Sequence, residues 1–443
     1  MRNFFDKNLF LSCESSKVIY DCIKNMPIID FHCHLNEHDI MDDKKFENIT
    51  DLWLRGDHYK WRLMRLLGVD EKYITGNATD EEKFRAFASV IQRAPANPVY
   101  YWAHMELKSV FGINEPLSEI NSDKIFTKTK KEIDNISVRY LLDKFRVEFV
   151  ATTNDPTDTL DAQGVYGNTV VSPTFRPDKV FTLKKEYISK LAESAGMEIN
   201  NIDDLKVALE KRLQFFISKG CKISDHGMDF FPDFRVDEKR AGEIFTKYDE
   251  ADDEEKYEFF SHMMIFLSSL YKKYGIIMQI HSGTFRNVNS KMFEITGPDS
   301  GFDIFRSYQD TDKLVYFLNY LSTNDILPVT LLYVLNPNTL KSLCTLTGAF
   351  REVSVSAAWW FNDTVLGIKE HLKTLSEYSV LGTNMGMLTD SRSFTSYVRF
   401  DFFRRILSDY LGQLVEKGEY EIQAAAKLAG DISYRNIKEL LKL

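Results

Sequence analysis

Eight short apolar runs recur along this chain, most of them separated by long segments with helical spacing. The first is Pro27-Ile28-Ile29-Asp30-Phe31-His32, and the second and third are Val147-Glu148-Phe149-Val150-Ala151-Thr152 and Val170-Val171-Ser172-Pro173-Thr174-Phe175. Cys221-Lys222-Ile223-Ser224-Asp225, Ile276-Ile277-Met278-Gln279-Ile280-His281 and Pro328-Val329-Thr330-Leu331-Leu332-Tyr333-Val334 follow. Val353-Ser354-Val355-Ser356-Ala357 and Gly386-Met387-Leu388-Thr389-Asp390 complete the set. Continuous runs rich in β-branched residues suit strands buried on both faces, hence a parallel sheet. The segments Ile202 to Lys219, Glu254 to Tyr274 and Val365 to Ser376 carry apolar residues at helical spacing. Strand–helix alternation repeated eight times predicts an α/β (β/α)8 TIM-like barrel rather than an open sheet. The 443 residues would otherwise suggest about three domains, but barrels with insertions often exceed about 400 residues around one core.

More than a hundred residues lie between the first and second runs, too many for a βα loop. Phe84, Phe87 and Ile91 share a helical face there, as do Leu63, Leu66 and Leu67. The expected organisation is a barrel from 1–35 and 146–443, with a helical subdomain at 36–145 inserted between strands one and two. Such an insertion sits over the catalytic end of a barrel.

A net charge of −9 argues against nucleic acid, which demands a basic footprint. A few arginines in a pocket still bind a small anion against that field. The five cysteines (Cys13, Cys22, Cys33, Cys221, Cys344) form no CxxC pair and read as reduced, mostly buried thiols of a cytoplasmic protein. No signal-peptide core follows the charged N-terminus, and no stretch approaches the roughly 20 apolar residues that span a membrane.

Chemistry gathers at the ends of the strands. His32-Cys33-His34 places two imidazoles on one side of an extended chain, a good start for a divalent metal. Asp390 ends the last run, next to the first when a barrel closes. A carboxylate there is costly to bury unless paired, metal-bound or catalytic. Two histidines and a carboxylate leave coordination positions open, as catalysis requires. His281, ending the fifth strand, and His226 each fit a further ligand, a substrate contact or a satisfied core histidine. His281 is the better functional candidate, as a hydrogen-bond donor, and His226 reads rather as a core histidine. Arg176, ending the third, is placed to clamp an anion or to form a plain salt bridge. Asp57 reads as the N-cap of a helix that begins with His58 and Tyr59. Trp359 and Trp360 stand where a pocket wall belongs.

These residues resemble a known family. Phe31-His32-Cys33-His34-Leu35, Arg55-Gly56-Asp57-His58-Tyr59-Lys60-Trp61-Arg62, Phe175-Arg176-Pro177-Asp178-Lys179, Gln279-Ile280-His281, Trp359-Trp360-Phe361-Asn362-Asp363 and Thr389-Asp390-Ser391-Arg392-Ser393-Phe394 look like uronate isomerase signatures, in that family's order and across nearly the whole chain. The resemblance implies an amidohydrolase-superfamily barrel that isomerises hexuronates: D-glucuronate to D-fructuronate, and D-galacturonate to D-tagaturonate. It implies one divalent metal, zinc in the usual case, on His32, His34 and Asp390. Tyr59 and Arg392 would then handle proton transfer between C1 and C2 with His58 close by, a neighbouring Arg392 easing ionisation of Tyr59. Asp390 or a metal-bound water would assist opening of the sugar ring. Arg176, His281, Trp359, Trp360 and Arg399 would meet the substrate. Ser282-Gly283-Thr284, Tyr397-Val398-Arg399-Phe400-Asp401 and Asn154 depart from the family's usual pattern and bear on substrate preference. The expected partner is a small anionic sugar acid, not a membrane. Self-association into a homo-oligomer is common for large barrels, though nothing here specifies an interface. The alternative is a mononuclear metal-dependent hydrolase, since a similar site activates water. The absence of histidine after the sixth strand favours the isomerase.

Overall fold

A computed structural model describes residues 3–443. Ten strands are present among them: β1 (Ile28–Asp30), β2 (Val147–Asn154), β3 (Gly164–Tyr166), β4 (Thr169–Phe175), β5 (Ile223–Met228), β6 (Ile277–Ser282), β7 (Thr284–Phe285), β8 (Ile304–Phe305), β9 (Thr330–Val334) and β10 (Val353–Val355). Seven run parallel in the order β1-β2-β4-β5-β6-β9-β10. β3 folds back antiparallel on β4, and β7 pairs with β8 in a separate ribbon. Seven of the eight predicted runs are therefore barrel strands in chain order, and the fold is a TIM-like α/β barrel.

The eighth run, 386–390, is not a strand. Gly386 has φ +79°, and a Cβ there would lie 2.2 Å from the Ile432 carbonyl oxygen, so only glycine fits the bend. Asp390 has φ +45°. The Thr389 N–H donates to the Asp30 carboxylate (2.9 Å) instead of to a neighbouring strand. The run still closes the ring. Asp390 N–H donates to His32 O (3.1 Å), and His34 N–H to Ser391 O (3.0 Å). Asp390 thus stands beside both histidines.

Alternate residues fill the barrel interior: Ile29 and Phe31, Phe149 and Ala151, Leu331 and Tyr333, with Ile223 and Ile277. This is the period-2 side-chain pattern of strands. Ile437 and Leu441 of the helix Asn436–Leu441 join this cluster, and Tyr434 and Lys438 bind Glu148 at the start of β2. The lower mouth is closed in this way, which leaves the carboxyl ends of the strands to open onto solvent.

Between β1 and β2 the chain is helical. Thr79 and Glu82 form a capping box at the start of Asp80–Ile91, and Asn97 caps Pro98–Phe111, which ends at Gly112 with φ +64°. Phe84, Phe87 and Ile91 are buried together as expected. Leu63 and Leu66 do not share a buried face. Leu66 is 70% exposed, because the helix His58–Leu66 ends there. Among the described residues, no helix is long and apolar enough to cross a membrane.

His104 gives this helical region a measurable pH response. Its Nδ1 meets Tyr100 O (2.7 Å) and its Nε2 meets the Leu117 N–H (3.0 Å). A carbonyl only accepts and an amide only donates, so the ring satisfies both when neutral. Burial pulls its pKa down to about 4. An unfolded histidine takes up its proton near pH ~6.5. Between ~6.5 and ~4 the unfolded chain therefore holds the extra proton, and stability falls on acidification by about 1.4 kcal/mol per pH unit at this residue. His104→Gln should flatten the curve of unfolding free energy against pH in that window by this amount. Parallel curves for the two proteins would show that the folded state tolerates a charged His104.

Candidate active site

A cleft of about 800 Å³ opens at the carboxyl ends of the strands. His32, His34, His58, Arg176, His281, Trp359, Trp360, Asp390 and Arg392 all line it, so nine of the eleven residues singled out in the sequence meet there. Tyr59 and Arg399 do not.

Asp390 is the hub of one side. Its Oδ1 lies 3.2 Å from Nε2 of both His32 and His34, and its Oδ2 accepts from Trp359 Nε1 (2.6 Å). Against the cost of burial, the two imidazoles hold its carboxyl well below the usual carboxylate range. Three ligand atoms from His32, His34 and Asp390 lie within 4.8 Å of one another, a donor set that fits a divalent cation.

Asp225 is the hub of the other side, and the sequence reading missed it. It is fully buried in β5, with Oδ1 2.6 Å from His281 Nδ1 and Oδ2 2.9 Å from an Arg176 nitrogen. His32 Nδ1 lies 3.9 Å away, so His32 stands between the two carboxylates. Burial disfavours its charge, but Arg176, His281 and His32 together hold it well below its ordinary pKa. His32, Asp225 and His281 form a second cluster close enough for a metal. There, however, the carboxylate oxygens already serve His281 and Arg176. The available signal was a carboxylate inside an apolar strand, the same cost argument that singled out Asp390.

His281 is buried and stacked on Tyr333, with centroids 4.2 Å apart and planes 5° apart. Burial pulls it down to about 4, outweighing Asp225. The neutral ring gives its Nδ1–H to Asp225 and leaves a buried Nε2 without a partner, so the proton expected for the substrate is engaged by the protein itself. His226 lies inside β5, buried between Asp178 and the Tyr271 hydroxyl (3.0 Å each), as a satisfied core histidine.

The cleft's arginines are all paired. Arg176 binds Asp178 (3.0 Å) as well as Asp225, Arg392 binds Asp299 (2.9 Å), and Arg286 binds Asp303 (3.4 Å). An incoming anion exchanges with these carboxylates rather than meeting bare cations. The segment carrying Asp299 and Asp303 is fastened to the helix His58–Leu66, where Arg62 donates to Gly301 O (3.0 Å) and Asp303 O (2.8 Å).

Asp57 caps that helix, accepting the N–H groups of Tyr59 and Lys60. His58 therefore faces the cleft beside Trp360, and burial lowers its pKa. Tyr59 stacks on His58 (4.6 Å) one layer back, its hydroxyl buried without a partner. The expectation that Arg392 eases its ionisation does not hold. Burial and then the Asp390 charge push the phenol well above its ordinary pKa, and the cation over its ring is Arg399, at 4.6 Å. Arg399, expected at the substrate, is 1% exposed behind the cleft wall.

The sequence model described as "Glucuronate isomerase" matches residues 1–441. The chain is 42% identical over 464 aligned residues to the uronate isomerase of Caldanaerobacter subterraneus subsp. tengcongensis, covering all of both chains. It is 41% identical to that of Caldicellulosiruptor bescii, covering 99% of each. Among solved structures, the uronate isomerase of Thermotoga maritima superposes with a TM-score of 0.96 at 34% identity, over 99% of this chain and 100% of that one. The glucuronate isomerase of Caulobacter crescentus gives 0.93 at 25% identity, over 99% and 97%. Sequence and fold agree over essentially the whole length, and the chain belongs to the glucuronate isomerase family.

Proposed function

We propose that this enzyme interconverts aldohexuronates and ketohexuronates, D-glucuronate with D-fructuronate and D-galacturonate with D-tagaturonate. The observation that carries the reading is one cleft holding the His32–His34–Asp390 centre, the cationic Arg176 and Arg392, and His58 backed by Tyr59. Aldose–ketose isomerisation removes the C2 proton, passes through an enediol and returns a proton to C1. It therefore needs a base, an acid and a cation for the developing enediolate. His58, kept neutral by burial, is suited to take the proton. Once protonated it can return that proton to C1, its ring held by Tyr59 stacked behind it, whose hydroxyl lies buried outside the cleft lining. Arg392 would stabilise the oxyanion, and Arg176 would bind the C6 carboxylate on leaving part of its pairing with Asp178. Trp359 and Trp360 would wall the sugar, and His281 would offer its bare Nε2 as a hydrogen-bond acceptor. A single zinc or similar divalent ion on His32, His34 and Asp390 would supply a Lewis acid at the carbonyl end. The helices of 36–145 would cover the bound sugar. The free thiols suit a reducing cytoplasm.

The test is turnover of D-glucuronate and D-galacturonate, coupled to NADH oxidation by a ketouronate reductase, with and without chelator. Turnover of either sugar is the expected result, and its loss with chelator adds the metal requirement. Inertness of folded, metal-loaded protein toward both sugars would overturn the reading.

A further inference from the structure

Arg399 is expensive where it stands. It lies in the first turn of the helix Val398–Glu416, where the helix dipole disfavours a cation. Its guanidinium has five N–H donors. Among the described residues it makes one hydrogen bond, from an NH1 to Thr389 O (2.9 Å), and Nε has no partner. The closest carboxylate, Asp363, is 3.9 Å away. Burial disfavours so sparingly hydrogen-bonded a charge, and the fields of Asp363, Asp57 and Glu106 compensate it, so the surroundings are arranged to hold a cation here. The plane lies 3.9 Å from the Trp102 ring centroid and 4.6 Å from that of Tyr59, a double cation–π contact.

The one hydrogen bond is placed with consequence. Thr389 O belongs to the peptide that leads into Asp390, and the N–H of that same peptide donates to His32 O. Both ends of the peptide are thereby tied, just before a residue held at φ +45°. Non-glycine residues rarely adopt that conformation and revert unless surrounding contacts over-determine it. One guanidinium therefore touches the backbone that aims Asp390 and the ring that carries the Tyr59 hydroxyl, while staying out of the cleft.

We propose that Arg399 is a positioning residue, bracing Asp390 and Tyr59 from behind the cleft wall so that metal-binding carboxylate and phenol keep a fixed relation. For its kinetic readout the proposal rests on the isomerase reading, whereas its metal-binding readout is independent of it. Arg399→Lys keeps the charge and one donor but lacks the flat guanidinium that reaches both rings at once. With Arg399→Lys, we expect kcat to fall about 10–100-fold, the loss typical of supporting groups around a metal site. KM for the uronate should stay within about twofold, because no uniform binding contact is removed. The dissociation constant for Co2+, followed by its visible absorption, should rise about tenfold. In Arg399→Ala, added guanidinium should restore kcat at least about tenfold, which a general loss of folding would not permit. Lysine-variant kcat and Co2+ affinity both within about twofold of wild type would overturn the brace. So would a KM rise at unchanged kcat, which would put Arg399 on the substrate. If the wild type turns over no uronate, the isomerase reading fails alone. The brace then stands or falls on whether Arg399→Lys weakens Co2+ binding.

Discussion

Asp390→Asn should lower kcat by about 10³–10⁴-fold, the scale of losing a positioned acid–base or metal-holding group, with the fold retained and Tm lowered only modestly, since the imidazoles favour the ionised carboxyl. The geometry predicts both halves. Trp359 Nε1 donates to Oδ2 at 2.6 Å, so the amide oxygen of an asparagine takes that place. The amide NH2 then faces the two imidazole Nε2 atoms, 3.2 Å from the present Oδ1, and donates to them only once both rings carry their proton on Nδ1. The hydrogen-bonded frame persists, but the negative charge and the metal-binding lone pairs are gone. Asparagine also enters the left-handed region more readily than most residues, which suits φ +45°. The measurement pairs coupled turnover with calorimetry and metal analysis of the purified variant. Wild-type turnover would remove Asp390 from the site. A Tm drop of many degrees would instead mean that its role is structural.

How much of this centre was legible in the sequence depends on the range over which each signal acts. Periodicity is local, so seven of the strands and the helices Ile202–Ser218, Asp253–Tyr274 and Val365–Tyr378 could be read from spacing alone. The Asp57 cap is equally local, since its side chain binds amides two and three residues on. The failures are contacts between distant parts of the chain. Residues 386–390 have strand-like apolar character, yet their backbone is bonded to Asp30, 359 positions earlier, and pressed against Ile432. Arg399 matched a family motif expected at the substrate, but tertiary packing turned its side chain toward Trp102 and Tyr59. The same packing reversed the expected behaviour of Tyr59, because burial outweighs a cation that sits over the ring rather than beside the hydroxyl. Asp225 went unread because β5 is the weakest apolar run. Its importance comes from His281, Arg176 and His32, each on a different segment.

Asp225→Asn is accordingly the second large effect expected. The carboxylate sets the tautomer of His281: accepting from Nδ1 at 2.6 Å, it fixes the proton there and leaves Nε2 bare toward the site. It also holds Arg176 at 2.9 Å and stands 3.9 Å from His32. An asparagine cannot serve all of these. If its oxygen faces His281, its NH2 is driven against the Arg176 guanidinium. If its oxygen faces Arg176, the NH2 donates to His281 Nδ1, and the ring proton moves to Nε2. Either arrangement leaves a buried donor facing a donor, or the wrong tautomer in the cleft. We expect kcat/KM to fall about 10²–10³-fold, the range seen when a histidine-orienting carboxylate is lost. Tm should also fall, since removing one partner of a buried charge pair costs about 3–5 kcal/mol. This separates the two aspartates: Asp390→Asn should lose chemistry at a modest cost in stability, whereas Asp225→Asn, which also strips Arg176 of a buried partner, should lose much of both. The deciding data are kcat/KM and Tm for the two variants side by side. An Asp225→Asn enzyme within threefold of wild type, at unchanged Tm, would mean that neither the His281 tautomer nor the Arg176 position depends on this carboxylate.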